Sequence, residues 1–245
     1  MIGKRKKICV IARARSNLQF CRGLLCRCFS THRNDSVLLI LLSFLIASCS
    51  AATAPAPTPE VVSVYSSLAA EPWLSELYDC AAGQTNVALS RVDDPDSAQI
   101  AVRIGESQFI SSFAYQIDGE EILIVTQRQS PVQNLTLDDA RTLFMGLGDP
   151  SVQVWVYAAG EDVQRVFDKF VMEGRSVAPS ANVAVSPQQM SDTLVNQPST
   201  VGILPRHWKA GDSREVFSVA TVPVLALTNS EPQGVVKELI ACLQK

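Results

Sequence analysis

Few side chains in this sequence have the types and spacing that catalysis or metal binding requires. The 245-residue chain contains two histidines, and His207 is the only one after residue 48. The chain has no G-x-S-x-G nucleophile motif, no phosphate-binding G-x-x-x-x-G-K-[ST] motif and no H-E-x-x-H zinc motif. We therefore expect no enzymatic activity, no cofactor and no metal site. We interpret His207, which stands beside Trp208, as a loop or packing residue.

The seven cysteines divide into three groups. Four lie before residue 30, in a segment that we exclude from the fold for the reasons given below. Cys49 directly follows a short apolar run. Cys80 and Cys242 are the two thiols left in the part of the chain that is expected to fold.

The apolar run Val37–Ala47 is typical of a signal-peptide core. It has eleven residues with one serine and follows a basic segment, whereas a spanning helix needs about 20 apolar residues. The run ends in Ile46-Ala47-Ser48-Cys49, which resembles the bacterial lipoprotein signal. This resemblance implies diacylglycerol transfer to the Cys49 thiol, cleavage before Cys49 and acylation by a fatty acid such as palmitate. An uncleaved short anchor and a mitochondrial presequence are the alternatives.

Charge separates the leader from the rest of the chain. Residues 1–48 carry nine basic side chains and one acidic one, so residues 49–245 carry 12 basic and 23 acidic side chains. A body this acidic is unsuited to nucleic acid, because a phosphate backbone requires a basic face. We assign residues 1–48 to the signal peptide. We assign residues 49–60, which are rich in Ala, Pro and Thr, to an extended tether behind the lipidated cysteine.

Predicted strands and helices alternate along the folded part, which indicates an α/β protein with largely parallel sheets. The apolar patterns predict strands at 61–65, 86–91, 99–104, 121–127, 152–157, 201–204 and 222–227. They predict helices at 69–82, 161–173, 187–195 and 234–243, and one that is capped by Thr136 and ends at Met145. Thr136 and Asp139 have the spacing of a capping box.

Several segments resemble phosphate-type solute-binding proteins of ABC transporters. Asn134–Gly146, NLTLDDARTLFMG, is similar to a recurring segment of that family. Shorter segments follow in the family's order: Ser63–Ser67, Asp96–Arg103, Val154–Phe167 and Gln197–Leu204. Each motif is short, and it is their order that carries the resemblance.

The resemblance implies a two-lobed, type 2 periplasmic-binding-protein fold with a ligand cleft between the lobes. Lobe 1 would consist of residues 61–127 plus 212–245, and lobe 2 of residues 128–211. Since the chain would return to its first lobe, the helices that carry Cys80 and Cys242 would share that lobe. The resemblance thus favours a disulfide between them, with two separate buried thiols as the alternative.

The same resemblance implies that loops at strand ends and helix N-termini hold the ligand. The candidate ligand-binding residues are Tyr65, Ser66, Ser67, Arg103, Gly160, Glu161 and Asp162. Ser66 and Ser67 have hydroxyl and N–H groups that suit an oxyanion, although they also suit a helix cap. Arg103 suits either an anionic ligand or an ordinary ion pair.

The sequence departs from the family's pattern in the second lobe. Where phosphate binders usually have Ser-Gly-Thr, this chain has Ala158-Ala159-Gly160-Glu161-Asp162, and Gln99 stands where the family has aspartate. Carboxylates at this loop repel an anion, although acidic residues also suit a helix N-terminus that binds no ligand. We therefore expect phosphate to bind weakly or not at all, and a positively charged or hydroxyl-rich solute to bind better.

These observations predict a lipid-anchored solute-binding protein on the extracytoplasmic face of the cell membrane. We expect it to act as a monomer that delivers a small polar solute to an ABC permease. The alternative is a sensor or interaction lipoprotein that has the same fold but takes no part in transport.

The Cys49→Ala variant tests the lipid anchor. Only the Cys49 thiol offers the nucleophile for lipid attachment, so the variant should incorporate no labelled fatty acid and should keep its leader. Metabolic labelling and the intact mass of the purified protein measure both effects. The Cys80→Ala variant is the matched control, and normal processing of Cys49→Ala would contradict the assignment.

Overall fold

The described residues form eight strands and five α-helices, and no α-helix separates β2, β3 and β4 or β7 and β8. A computed structural model describes residues 58–106 and 113–244, so the leader, Cys49 and the tether up to residue 57 lie outside the described residues. The strands are β1 (Glu60–Ser66), β2 (Val87–Arg91), β3 (Ile100–Ile104), β4 (Phe113–Gln127), β5 (Gln153–Tyr157), β6 (Asn182–Ala184), β7 (Thr200–Pro205) and β8 (Ser213–Thr228). The helices are α1 (Glu71–Ala82), α2 (Leu137–Phe144), α3 (Asp162–Phe167), α4 (Pro187–Asn196) and α5 (Gly234–Leu243).

All eight strands form one sheet in the order β2-β1-β3-β8-β4-β7-β5-β6. β1 is parallel to β2 and β3, and β5 is parallel to β6 and β7. We call β2-β1-β3 the first half of the sheet and β7-β5-β6 the second half. The two central strands, β8 and β4, are antiparallel to each other and to their outer neighbours. The prediction of largely parallel pairing is thus wrong for the centre of the sheet.

β4 and β8 connect the two halves. They are 15 and 16 residues long and pair along their whole length. β8 pairs with β3 at one end, and β4 pairs with β7 at the other. Three register shifts interrupt the β4–β8 pairing, and such irregularities bend and twist a strand pair. The predicted lobe boundaries stay a prediction, because one continuous sheet contains the strands of both halves.

The sequence analysis found only part of each long strand. It placed strands at 121–127 and 222–227, and so missed 113–120 and 213–221. Most positions in the missed ends are exposed or half-buried, and both ends contain charged residues, so neither shows a clear apolar strand pattern. Gly119 further interrupts the pattern in β4. Each missed end forms backbone hydrogen bonds with the other long strand, and the local sequence pattern does not reveal this pairing. The three-residue strand β6 was also missed.

Helix α2 begins as its sequence predicts. The Thr136 hydroxyl accepts the backbone N–H of Asp139 at 3.2 Å, and the Asp139 carboxylate accepts the backbone N–H of Thr136 at 3.1 Å. These two bonds satisfy donors that a helix N-terminus otherwise leaves without partners. The predicted capping box is confirmed.

Two predicted helices differ from the structure at their ends. Leu68–Ala70 form a 3-10 turn, so α1 begins at Glu71 with Pro72 in its first turn, where the missing N–H of proline has no cost. The helix predicted over 161–173 is α-helical only to Phe167 and continues as a π turn over Asp168–Met172.

The apolar core is continuous across the sheet. Among its fully buried side chains are Trp73 of α1, Phe144 of α2, Phe167 of α3 and Met190 of α4. The rings of Phe144 and Phe167 lie 4.5 Å apart between centroids in a tilted arrangement, which aromatic pairs favour. No helix in the described ranges has the length and apolar character needed to cross a membrane.

A disulfide joins Cys80 of α1 to Cys242 of α5. Their Cα atoms lie 6.1 Å apart and 162 positions separate them in the sequence. The distance is within the roughly 7 Å that a disulfide permits. The bond fixes the C-terminal helix to the helix that follows β1, and thereby ties the end of the chain to the first half of the sheet.

We expect the Cys80→Ser/Cys242→Ser double variant to be less stable by about 2–5 kcal/mol, because the unfolded chain loses a long covalent loop. Urea unfolding followed by circular dichroism measures the difference. Wild type treated with dithiothreitol should unfold like the double variant, and dithiothreitol should not change the double variant itself. Equal midpoints for oxidised wild type and the double variant would contradict a stabilising disulfide.

Candidate functional site

The candidate ligand residues lie where strands of both halves end. Tyr65 and Ser66 are the last two residues of β1, and Arg103 is the penultimate residue of β3, its parallel neighbour. In the other half, Gly160 and Glu161 follow β5, and Asp162 is the first residue of α3. The carboxyl ends of parallel strands are the usual place for ligands in α/β folds.

An ion pair between Arg103 and Asp162 links the two sides. The Arg103 Nη2 and Nε atoms donate to Asp162 Oδ1 at 2.7 and 3.2 Å. The Asp162 side chain is 1% exposed and that of Arg103 is 17% exposed. Both of these bonds reach the same carboxylate oxygen, and Nε lies 3.5 Å from Oδ2. Hydrogen bonds between charged groups such as these are stronger than those between neutral groups.

Two further groups donate to the same carboxylate. The backbone N–H of Ile104 donates to Asp162 Oδ2 at 3.1 Å. Arg165, three residues further along α3, donates from Nη2 to Oδ1 and from Nη1 to the Gly160 carbonyl at 2.6 Å. Gly160 adopts φ +95°, a conformation that glycine reaches without strain. The buried negative charge of Asp162 is thus shared between two guanidinium groups and one amide.

Burial and neighbouring charges set the protonation of this cluster. Burial lowers the pKa of Arg103, but the hydrogen bonds and the charge of Asp162 outweigh it, so the pKa lies above its ordinary value. Burial also raises the pKa of Tyr65, with opposing contributions from Arg103 and Asp162. Tyr65 therefore keeps its phenolic proton at neutral pH and remains a hydrogen-bond donor.

A small cavity of about 10 Å³ lies between the 3-10 turn that follows β1 and the residues around α3 and α4. It is lined by Leu68, Ala69, Tyr157, Glu161, Val163, Val185, Ser186 and Pro187. A volume of this size holds about one water molecule. Phosphate does not fit between these residues in this conformation.

Two buried hydroxyl groups at this place have no hydrogen-bond partner among the described residues. They are the Tyr157 Oη, which belongs to a cavity-lining side chain, and the Ser67 Oγ, which belongs to the residue before Leu68. Tyr157 is 5% exposed, and burial raises its pKa far above the ordinary value. An unpaired buried hydroxyl costs about 1–3 kcal/mol. These two groups therefore favour a polar ligand or water beside them.

The structure brings only some of the predicted residues together. Arg103 contacts Asp162 directly, and its charge and that of Glu161 act on Tyr65. The Ser66 hydroxyl donates to the Ser67 carbonyl at 2.9 Å, and the Ser67 side chain makes no cap bond to the 3-10 turn. The serines therefore do not act as helix caps through their side chains.

The sequence analysis missed Arg165 and Tyr157. Arg165 is three residues after Asp162, a spacing that places both side chains on one face of a helix. That spacing was the signal available for Arg165. Tyr157 is the last residue of a predicted strand, and no motif distinguishes it from the apolar residues before it.

His207 belongs to a separate set of contacts. Its ring centroid lies 4.6 Å from that of Trp73, and its Nδ1 atom contacts Glu120. The His207 backbone N–H also donates to Glu120, which is 1% exposed, at 3.1 Å. These contacts agree with a packing role. Within the described ranges, no group of three or more His, Cys, Asp or Glu side chains is arranged to hold a metal ion.

Similarity to solved structures identifies the fold. A putative phosphate ABC transporter substrate-binding protein with bound phosphate from Clostridium perfringens is 13% identical, with a TM-score of 0.66 over 75% of this chain and 93% of that one. An ABC-type phosphate transport receptor from Vibrio cholerae is 17% identical, with a TM-score of 0.58 over the same shares of the two chains. The chain has a two-lobed, type 2 periplasmic-binding-protein-like fold.

Regulatory domains share this fold at similar scores. The CcmR regulatory domain from Synechocystis PCC6803, in complex with 2-PG, is 8% identical, with a TM-score of 0.57 over 75% of this chain and 95% of that one. No protein-family model and no curated protein matches the sequence. At these identities the comparisons establish the architecture of this chain but not its ligand.

The Arg103–Asp162 pair should contribute strongly to stability. We expect Arg103→Gln and Asp162→Asn each to lower the free energy of unfolding by about 3–5 kcal/mol. Arg103→Gln leaves the buried Asp162 carboxylate with only one of its two guanidinium partners, and Asp162→Asn leaves two partly buried guanidinium groups without their carboxylate. The double variant should lose less than the sum of the two single losses. Urea denaturation of all four proteins measures this coupling.

The exposed pair Arg128–Asp212 provides the matched control. Its side chains are 70% and 81% exposed, so the corresponding variants should change the free energy of unfolding by less than about 1 kcal/mol. Additive losses at Arg103 and Asp162 would show that the two side chains are not energetically coupled.

Proposed function

We propose that this chain is a lipid-anchored, extracytoplasmic solute-binding protein that holds a small polar solute between two lobes. The observation that carries the proposal is the cavity between the turn after β1 and α3, next to the unpaired hydroxyl of Tyr157. Residues that follow strands of the first half and of the second half both line this cavity. The phosphate-bound structure of similar fold from Clostridium perfringens supports a small-solute ligand.

A solute that binds at this cavity requires a conformation that is more open than this one. A cavity of about 10 Å³ is far smaller than the roughly 300–1,000 Å³ of ordinary small-molecule sites. β4 and β8 are the connection through which the halves would move, and register shifts already interrupt their pairing. Movement at such irregular positions disturbs fewer backbone hydrogen bonds than movement in a regular ladder.

The charges around the cavity favour a cationic or hydroxyl-rich solute. Glu161 lines the cavity and is exposed, and no basic side chain is among the other lining residues. The positive charge of Arg103 and Arg165 is directed at Asp162 instead. A carboxylate at the cavity and the lack of a free arginine both oppose phosphate.

Delivery to an ABC permease and anchoring through Cys49 complete the proposal. The short apolar run before Cys49 supports an export signal with lipid attachment, and the Ala/Pro/Thr-rich tether supports a domain held away from the membrane. The proposed protein is a monomer, because a solute-binding cleft of this fold lies within one chain. Binding without catalysis follows from the lack of catalytic motifs in the sequence.

A sensor or interaction role without transport is the second candidate. The Arg103–Asp162 pair favours it, because this pair connects the two sides of the cleft through the protein's own side chains. A transport receptor relies on its solute to hold the lobes together. A chain that closes without solute is better suited to presenting one fixed surface to a partner protein.

Thermal unfolding of the full-length chain in detergent, against a panel of solutes, tests the proposed function. A bound solute stabilises only the folded state, so amines, amino acids or polyols should raise the Tm of wild type, and inorganic phosphate should not. Tyr157→Phe should weaken binding about tenfold, the effect of losing one hydrogen bond. It should not lower the Tm of the free protein, because it removes an unpaired hydroxyl.

Tyr78→Phe is the matched control, since Tyr78 is 42% exposed and lies on α1. Its solute affinity should equal that of wild type. Micromolar phosphate affinity that is lost in Ser67→Ala would instead establish a phosphate binder. No shift with any solute would favour the sensor role.

A further inference from the structure

The donors around Asp162 have the composition of an oxyanion site. The Arg103 guanidinium, the Arg165 guanidinium and the Ile104 backbone N–H all point at one carboxylate. Forked guanidinium donors and a main-chain amide are the groups that proteins use to bind free carboxylate, sulfate and phosphate ions. Here the anion that they bind is part of the chain.

The arginines have more positive charge than Asp162 neutralises. Two guanidinium groups face one buried carboxylate, and their side chains are only 17% and 24% exposed. Three other acidic side chains lie nearby: Glu161 is exposed, Glu106 pairs with Lys169, and Asp168 accepts a hydrogen bond from Gln164. Without Asp162, two partly buried positive charges would lie side by side, and an anion from solution would relieve their repulsion.

We propose that Asp162 is the specificity-determining residue of this cleft: its carboxylate fills an oxyanion site built by Arg103, Arg165 and the Ile104 N–H, and thereby excludes free oxyanions. The inference rests on the proposed function, since it concerns the ligand class of the same cleft. It assigns the two arginines to a latent site for a small carboxylate or a tetrahedral oxyanion.

The exclusion is effective because Asp162 is tethered. A group held in place by the backbone competes at an effective concentration in the millimolar range or above. A free oxyanion must displace it and must also leave the Asp162 carboxylate buried beside another negative charge. The wild-type cleft therefore accepts neutral or cationic solutes while it rejects anions.

Anion-dependent stability of the Asp162→Ala variant tests this inference. Full-length wild type, Asp162→Ala and the double variant Arg103→Gln/Asp162→Ala are unfolded thermally in sodium formate and in sodium sulfate. Sodium chloride at equal ionic strength is the reference, because it screens charges without offering an oxyanion. Formate approximates the carboxylate that the alanine substitution removes, and sulfate is the tetrahedral probe.

We expect formate or sulfate to raise the Tm of Asp162→Ala well beyond sodium chloride. The apparent anion affinity of the variant should exceed that of wild type at least about tenfold, and the double variant should lose the response. The double variant also measures the general stabilising effect of sulfate, which does not depend on a site. If Asp162→Ala does not fold in chloride, its refolding yield in formate or sulfate replaces the Tm as the readout.

Three results would overturn the inference: equal anion responses of wild type and Asp162→Ala, an undiminished response in the double variant, or no response and no refolding of Asp162→Ala in either anion. The test is separate from that of the proposed function. A wild type that binds no solute leaves the anion response of Asp162→Ala intact, and an unresponsive Asp162→Ala does not affect solute binding by wild type.

Discussion

The burial of the Asp162 carboxylate is the constraint on which the candidate site depends. Removing an ionised carboxylate from water costs several kcal/mol even after the protein relaxes around it. That cost is offset only when Arg103, Arg165 and the Ile104 N–H are all in place. Since Arg103 and Asp162 are 59 positions apart, the end of β3 and the start of α3 must meet for the charge to be tolerated. The ion pair therefore fixes how the two sides of the cleft meet.

The long strands β4 and β8 make this meeting possible. They separate the first half of the sheet from the second in the strand order, so neighbouring strands cannot bring Arg103 and Asp162 together. The contact is made instead between Arg103, near the end of β3, and the polypeptide beyond β5, where the loop leads into α3. The backbone hydrogen bonds of β4 and β8 thus hold the two halves in one sheet, and the Arg103–Asp162 ion pair sets the distance across the cleft.

The amino-acid pattern predicted the local elements better than their partners. The capping box at Thr136 and the helix over Gly234–Leu243 depend on adjacent residues, and both appear as predicted. The ends of β4 and β8 that were not predicted depend on pairing with each other. In β4, Asp118 and Gly119 also interrupt the apolar pattern by which a strand is predicted. Arg103 and Asp162 were named as ligand residues, but a pairing over 59 positions leaves no local trace. The sequence likewise gives no sign that the Tyr157 hydroxyl is buried without a hydrogen-bond partner among the described residues.

The fold does not decide between transport and sensing, because transport receptors and regulatory domains share it. What distinguishes the possible ligands is whether the solute requires Arg103, which is already paired with Asp162. A solute at Tyr157 and Glu161 leaves Arg103 and Asp162 paired, so its binding energy and that of the pair both favour closure. A solute that requires Arg103 must first break the pair, and its net affinity falls by the cost of doing so. In the proposed function, one buried carboxylate therefore directs this cleft toward a class of ligand other than free oxyanions.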